Sequence, residues 1–81
     1  MLREVFVINK KYRDEKAEEK HKLQETLEAA IEAEEDLMRT YLITAERIHD
    51  DDVLKERLEN FAEGNAKRTK QLIDERNELE Q

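Results

Sequence analysis

His49-Asp50-Asp51-Asp52 separates two long runs of periodic apolar residues, and its reading decides the fold. Upstream, starting from Leu23, apolar side chains recur at Leu27, Ile31, Met38, Tyr41, Ala45 and Ile48. The steps alternate four and three once Glu34 is counted, the spacing of a helix packed in coiled-coil fashion. Downstream, a second seam runs through Leu54, Leu58, Phe61, Asn65, Arg68, Leu72 and Leu79, with Arg76 between the last two. Val53, Ala62, Thr69 and Ile73 widen it. Asp51 suits an N-cap, because its carboxylate can accept from the free N–H groups that open the next helix. Three consecutive acids also suit the positive end of that helix's dipole. The turn is placed at about 49–51, and so short a turn makes the helices antiparallel neighbours.

The second helix is expected from about 52 to 79, roughly 42 Å at 1.5 Å per residue. The first meets no breaker between Tyr12 and His49. Folding at residue 50 sets residue 20 opposite residue 80, so residues 1–19 overhang. The chain thus divides into an N-terminal arm, 1–20, and a helical hairpin, 21–81. Val5-Phe6-Val7-Ile8 and Tyr12 lie in the arm. Such a run is not left in water without reason. It folds back as a short helix or strand, or it packs on another subunit.

Composition agrees with an all-α chain. The 81 residues include one Gly, no Pro and no Cys, and 46% are charged. The turns of an all-β fold need Gly, Pro and Asn-Gly pairs that are missing here. Without Cys there is no disulfide, thiolate nucleophile or Cys-ligated metal. No apolar run approaches the roughly 20 residues of a membrane span, and Met1–Asn9 is too short and charged for a signal peptide. A cytoplasmic setting is the expectation. Fifteen basic and 22 acidic residues leave a net charge of −7. Residues 1–22 carry seven basic and five acidic groups, net +2, and residues 23–81 carry eight and 17, net −9. An acidic body disfavours nucleic acid, whose binding relies on neutralising phosphates. No Ser/His/Asp set, phosphate loop or dinucleotide fingerprint appears, so catalysis is not expected. A lone hairpin buries one side of each helix, whereas Leu37, Leu42, Ile43, Val53 and Ile73 widen the apolar surface. A homodimer forming a four-helix bundle, or a higher assembly, follows.

Three seam positions are polar: Glu34, Asn65 and Arg68. Glu34 lies 16 residues before residue 50, and the other two lie 15 and 18 after it. In an antiparallel hairpin they share a level. A carboxylate inside a bundle must be paired or hold a metal. Arg68 supplies a permanent charge and Asn65 an amide, so a buried polar group that sets register is one reading.

A resemblance supplies the other. Ala30-Ile31-Glu32-Ala33-Glu34-Glu35-Asp36-Leu37-Met38-Arg39-Thr40-Tyr41, then Asp51-Asp52-Val53-Leu54-Lys55 and Phe61-Ala62-Glu63-Gly64-Asn65-Ala66-Lys67-Arg68, resembles a helical hairpin of the rubrerythrin and ferritin-like superfamily, over about residues 22–74. The resemblance implies a four-helix bundle built from two hairpins around a di-iron or di-manganese centre. Glu34, seven residues before Tyr41, matches the first ligand position. The family's Glu-x-x-His would fall on Asn65 and Arg68. Arg stays protonated and cannot ligate a cation, so the resemblance implies a degenerate metal site with a salt bridge in place of the metal.

Other metal candidates are Glu63 and two Glu-x-x-His pairs, Glu18 with His21 and Glu46 with His49. Residues i and i+3 share a helix face, so each pair could grip one ion. Glu is common enough in this chain for the pattern to arise by chance. His49 at the end of the first helix also suits the negative end of its dipole. Tyr41 reads as core with its hydroxyl bonded. Gly64, costly inside a helix, marks either close approach of another helix or a local irregularity. Three functions follow: a non-catalytic assembly or partner-binding protein with no cofactor, a small iron- or manganese-binding protein with a site between subunits, and an acidic coiled-coil adaptor.

Overall fold

The computed structural model describes the backbone from Leu2 to Gln81 and the side chains from Lys16 onward. It is a hairpin of two helices, α1 (Leu2–Glu46) and α2 (Asp52–Glu80), with no strand among the described residues. The molecule measures 76 × 14 × 13 Å. It is therefore a rod, two helices wide, whose length is that of α1. The connection, Arg47 to Asp51, starts two residues earlier than the Asp run suggests. α1 closes on three-residue backbone bonds, Arg47 N–H to the Thr44 carbonyl and Ile48 N–H to the Ala45 carbonyl, both 3.1 Å. This tightening is common at helix ends. Asp51 caps α2 as its position predicts: its carboxylate accepts from the Leu54 N–H at 3.0 Å.

α1 runs unbroken through residue 20. The arm therefore does not turn back and is not a strand. What Val5-Phe6-Val7-Ile8 and Tyr12 pack against lies outside the described residues.

The seam differs in phase from the sequence reading. The seam positions covered on α1 are Leu27, Ile31, Glu34, Met38, Tyr41 and Ala45, followed by Ile48 just past the helix end, as expected, but the preceding position is Gln24; Ala30 and Glu35 beside the seam are half-buried too. Leu23 is 53% exposed. On α2 the covered residues are Lys55, Leu58, Ala62, Asn65, Thr69, Leu72, Arg76 and Leu79. Leu54, Phe61 and Arg68 each precede a covered position by one residue and lie on the flank. Both helices keep strict three–four steps, the heptad pattern. The small Ala62 and Thr69 let the helices approach, which Phe61 and Arg68 in their place would prevent. Phe61 instead covers Tyr41 from the side, with ring centroids 5.6 Å apart and planes tilted by 56°. Only Ile31, Ala45 and Ala62 are buried apolar residues among those described. Three residues are a small core for two helices of this length.

Candidate functional site

The three polar residues expected to share a level do meet. Asn65 Nδ2 donates to Glu34 Oε2, and Arg68 Nε donates to Glu34 Oε1 at 2.9 Å. Both carboxylate oxygens of α1 are thus held by donors from α2. Burial is unequal. Asn65 is 2% exposed, the Glu34 side chain is 20% exposed and that of Arg68 54%. Arg68 is therefore not a seam residue: it reaches Glu34 from the flank, because the heptad places Asn65 and Thr69 inward and leaves position 68 between them outside.

Bonds from Asn65 and then Arg68 hold the Glu34 carboxyl below the usual carboxylate range, and outweigh the opposing effect of burial. Ionised, Glu34 accepts both bonds. The amide of Asn65 has one workable orientation, since turning it over would set its oxygen against a carboxylate. In that orientation Asn65 Oδ1 is buried and has no hydrogen-bond partner.

Gly64 explains how Arg68 reaches its partner. A Cβ at Gly64 would lie 3.3 Å from Arg68 Nη1 and 3.7 Å from Nη2. The guanidinium folds back one turn along α2 and rests over the glycine. α2 is continuous here, so Gly64 marks no irregularity. Its lack of a side chain makes room for the ion pair.

The remaining metal candidates do not converge. His21 pairs with Glu25 at 2.8 Å, one turn on from it, rather than with Glu18. Glu63 pairs with Lys67 at 3.5 Å on the outer surface. Glu46 is the last residue of α1 and His49 lies beyond it in the connection, so the two share no helix face and His49 is not placed against the dipole of α1 within the helix. Among the described residues no cluster of three or more His, Cys, Asp or Glu could hold a metal ion. Nor is any described helix long and apolar enough to cross a membrane.

A second feature emerges only with the seam's true phase. One flank of α1 presents Leu23, Thr26, Ala30, Ala33, Leu37, Thr40 and Thr44, again in three–four steps. None is charged, in a chain where 46% of residues are. The same side of α2 carries Leu54, Phe61 and Gly64. The two helices meet there in an open groove lined by Glu34, Leu37, Tyr41, Phe61, Gly64 and Arg68. Leu23, Leu37, Leu54 and Phe61 are each 43–53% exposed. The opposite flank is acidic: His21, Gln24, Glu25, Glu28 and Glu80 line one groove there, and Glu28 reaches Arg76 at 3.5 Å across the helices.

No family model, curated protein or solved structure matches this chain.

Proposed function

We propose that this protein is a non-catalytic assembly module: a helical hairpin that a second copy completes into a four-helix bundle, with a degenerate metal site of ferritin-like type. The observation that carries the reading is the uncharged flank. Large apolar side chains are exposed there on both helices, while three apolar residues are buried among those described. An apolar face of this kind belongs to an interaction surface. Sedimentation tests it. The expected particle is a dimer of about 19 kDa at micromolar concentration, twice the 9.7 kDa chain; a 9.7 kDa particle defeats the reading.

The ferritin-like part rests on the resemblance and on the cluster. Glu34 occupies the position of a first ligand, and the Arg68 guanidinium sits at its carboxylate. A cation supplied by the protein removes the need for a metal at this carboxylate. Ferrous iron or manganese should therefore leave the melting temperature unchanged. The double change Asn65→Glu with Arg68→His should confer metal-dependent stabilisation. Stoichiometric iron on the unaltered protein would favour the metal-binding alternative instead, and a monomer that captures an unlike helical partner would favour the adaptor.

A further inference from the structure

Resting on that assembly reading, we infer which face the second copy covers and how it lies: the uncharged flank of α1 packs on the partner's α2, about a two-fold axis running along the rod.

The surface area asks for a partner. The hairpin exposes 7103 Å², against about 5,100 Å² for a compact monomer of its mass. A standard interface removes about 800 Å² from each partner, well within that excess. The charge pattern selects the face. Two chains of net charge −7 repel, and between Leu23 and Thr44 this flank of α1 presents no acid. The facing part of α2 adds Arg57 and Arg68 against Glu75 and Glu78, so the charges on this flank balance. The acidic flank could not be turned on a copy of itself without opposing like charges. Both helices contribute to the uncharged flank, so it is two helices wide, the width another hairpin offers.

An isologous contact leaves two choices of axis. One axis lies across the helices and pairs α1 with the partner's α1 and α2 with α2. The other runs along them and pairs α1 with the partner's α2. Contacts inside the hairpin settle the levels: Glu34 meets Asn65 and Arg68, and Tyr41 meets Phe61. Phe61 therefore stands level with Thr40, Gly64 with Leu37 and Arg68 with Ala33. A cross-axis through the middle of the flank, level with Ala33, would bring Arg68 close to Arg68 of the partner subunit. An axis along the rod sets each arginine over the partner's small, uncharged Ala33. It also sets Phe61 over Thr40, a large side chain against a small one, as close packing of facing helices needs, and Leu37 over the Arg68 guanidinium that rests on Gly64. The same axis brings both stretches of α1 that run past α2 to one end of the bundle, on its diagonal.

The chain has no cysteine, so single cysteines report the arrangement directly. Thr40→Cys mixed with Phe61→Cys, under mild oxidation, should give an interchain disulfide that neither variant forms alone. Ala33→Cys should stay uncrosslinked. Ala33→Glu should raise the dimer dissociation constant at least 100-fold with far-UV helicity retained, whereas Ile43→Glu, on the outer face, should change it less than threefold. Self-crosslinking of Ala33→Cys would establish the cross-axis and overturn this inference while leaving the assembly reading intact. A dimer that survives Ala33→Glu but not Ile43→Glu would overturn the choice of face in the same way. A wild-type monomer would overturn both readings.

Discussion

The two flanks of the hairpin are made from the same two helices, yet one carries no charge along α1 from Leu23 to Thr44 and the other is lined by Glu25, Glu28 and Glu80. Leu37 and Leu42 make the contrast concrete. They are 46% and 42% exposed, nearly equal, five residues apart on one helix. Leu37 stands beside Phe61, Gly64 and the mutually neutralising Glu34–Arg68 pair, and Leu42 stands on the side that Glu28 and Glu35 share. Scattered exposed leucines are ordinary on a protein surface, and a contiguous apolar face is not. Exposure of a single residue thus says little, and what surrounds it decides its meaning.

The largest effect should separate those two leucines. Leu37→Glu is expected to convert the proposed dimer to a 9.7 kDa monomer in sedimentation, and Leu42→Glu to leave it a dimer. Equal behaviour of the two variants would erase the distinction between the flanks.

The next effect lies in the seam between them. Asn65→Ala should lower stability by about 2 kcal/mol, read by chemical denaturation, because it removes a buried hydrogen bond to a charged group. The same substitution also deletes the unpartnered Oδ1, which holds the loss below the top of that range. Arg68→Ala should cost less than half as much. Its side chain is more than half exposed, and water can replace an exposed partner where it cannot reach a buried one. If Arg68→Ala proves the costlier change in monomer and dimer alike, then Arg68 is a buried seam residue, and its assignment to the uncharged flank fails.

Much of this was legible in the sequence, and the part that was not has a definite cause. The alternation of three and four, and Asp51 before an apolar run, were enough for an antiparallel hairpin and its cap. Distance from the turn was enough to put Glu34 level with Asn65 and Arg68. The phase of α2 was not legible, because Leu54, Leu58, Phe61, Ala62, Asn65, Thr69 and Leu72 form one band wider than a two-helix seam. Either edge of that band could have turned inward. Sizes decided it: Ala62 and Thr69 admit a neighbouring helix, and Phe61 does not. The flank of α1 is hidden in the sequence for the same reason, since Leu23 and Phe61 fit the seam spacing as well as the flank. The room that Gly64 leaves has meaning only once Arg68 lies on the flank above it. The helix face that Glu-x-x-His implies for Glu46 and His49 is absent, because α1 ends at Glu46.

A pH titration examines the cluster in isolation from the flanks. The Glu34 carboxyl titrates below its ordinary value in the folded chain, because Asn65 and Arg68 bond its ionised form. Such a group adds stability above its unfolded pKa and loses it as pH falls through the lower, folded value. Wild-type melting temperature should therefore fall on acidification below about pH 4.5. Glu34→Gln should be less stable than wild type at pH 7, and the gap should close in acid. Other carboxylates titrate in both proteins, so the difference between the curves isolates Glu34. Parallel curves would mean that the two bonds contribute nothing to folding.

The smallest effect asks what the uncharged flank's glycine is for. Gly64→Ala gains helix propensity of up to about 1 kcal/mol. Against that, the new methyl would sit 3.3 Å from Arg68 Nη1, so the guanidinium must move by a few tenths of an ångström. It is the far end of a flexible, half-exposed side chain and can give way. The hairpin should therefore be stabilised, by about 0.5 kcal/mol, in denaturation of the monomeric Leu37→Glu background. In the proposed dimer the guanidinium would be held between Gly64 and the partner's Leu37 with less room to move, and the gain should vanish or reverse. The sign change between the two backgrounds is the measurement that matters. A gain of equal size in both would show that nothing packs on Gly64 from outside its own chain, and would leave the glycine serving Arg68 alone.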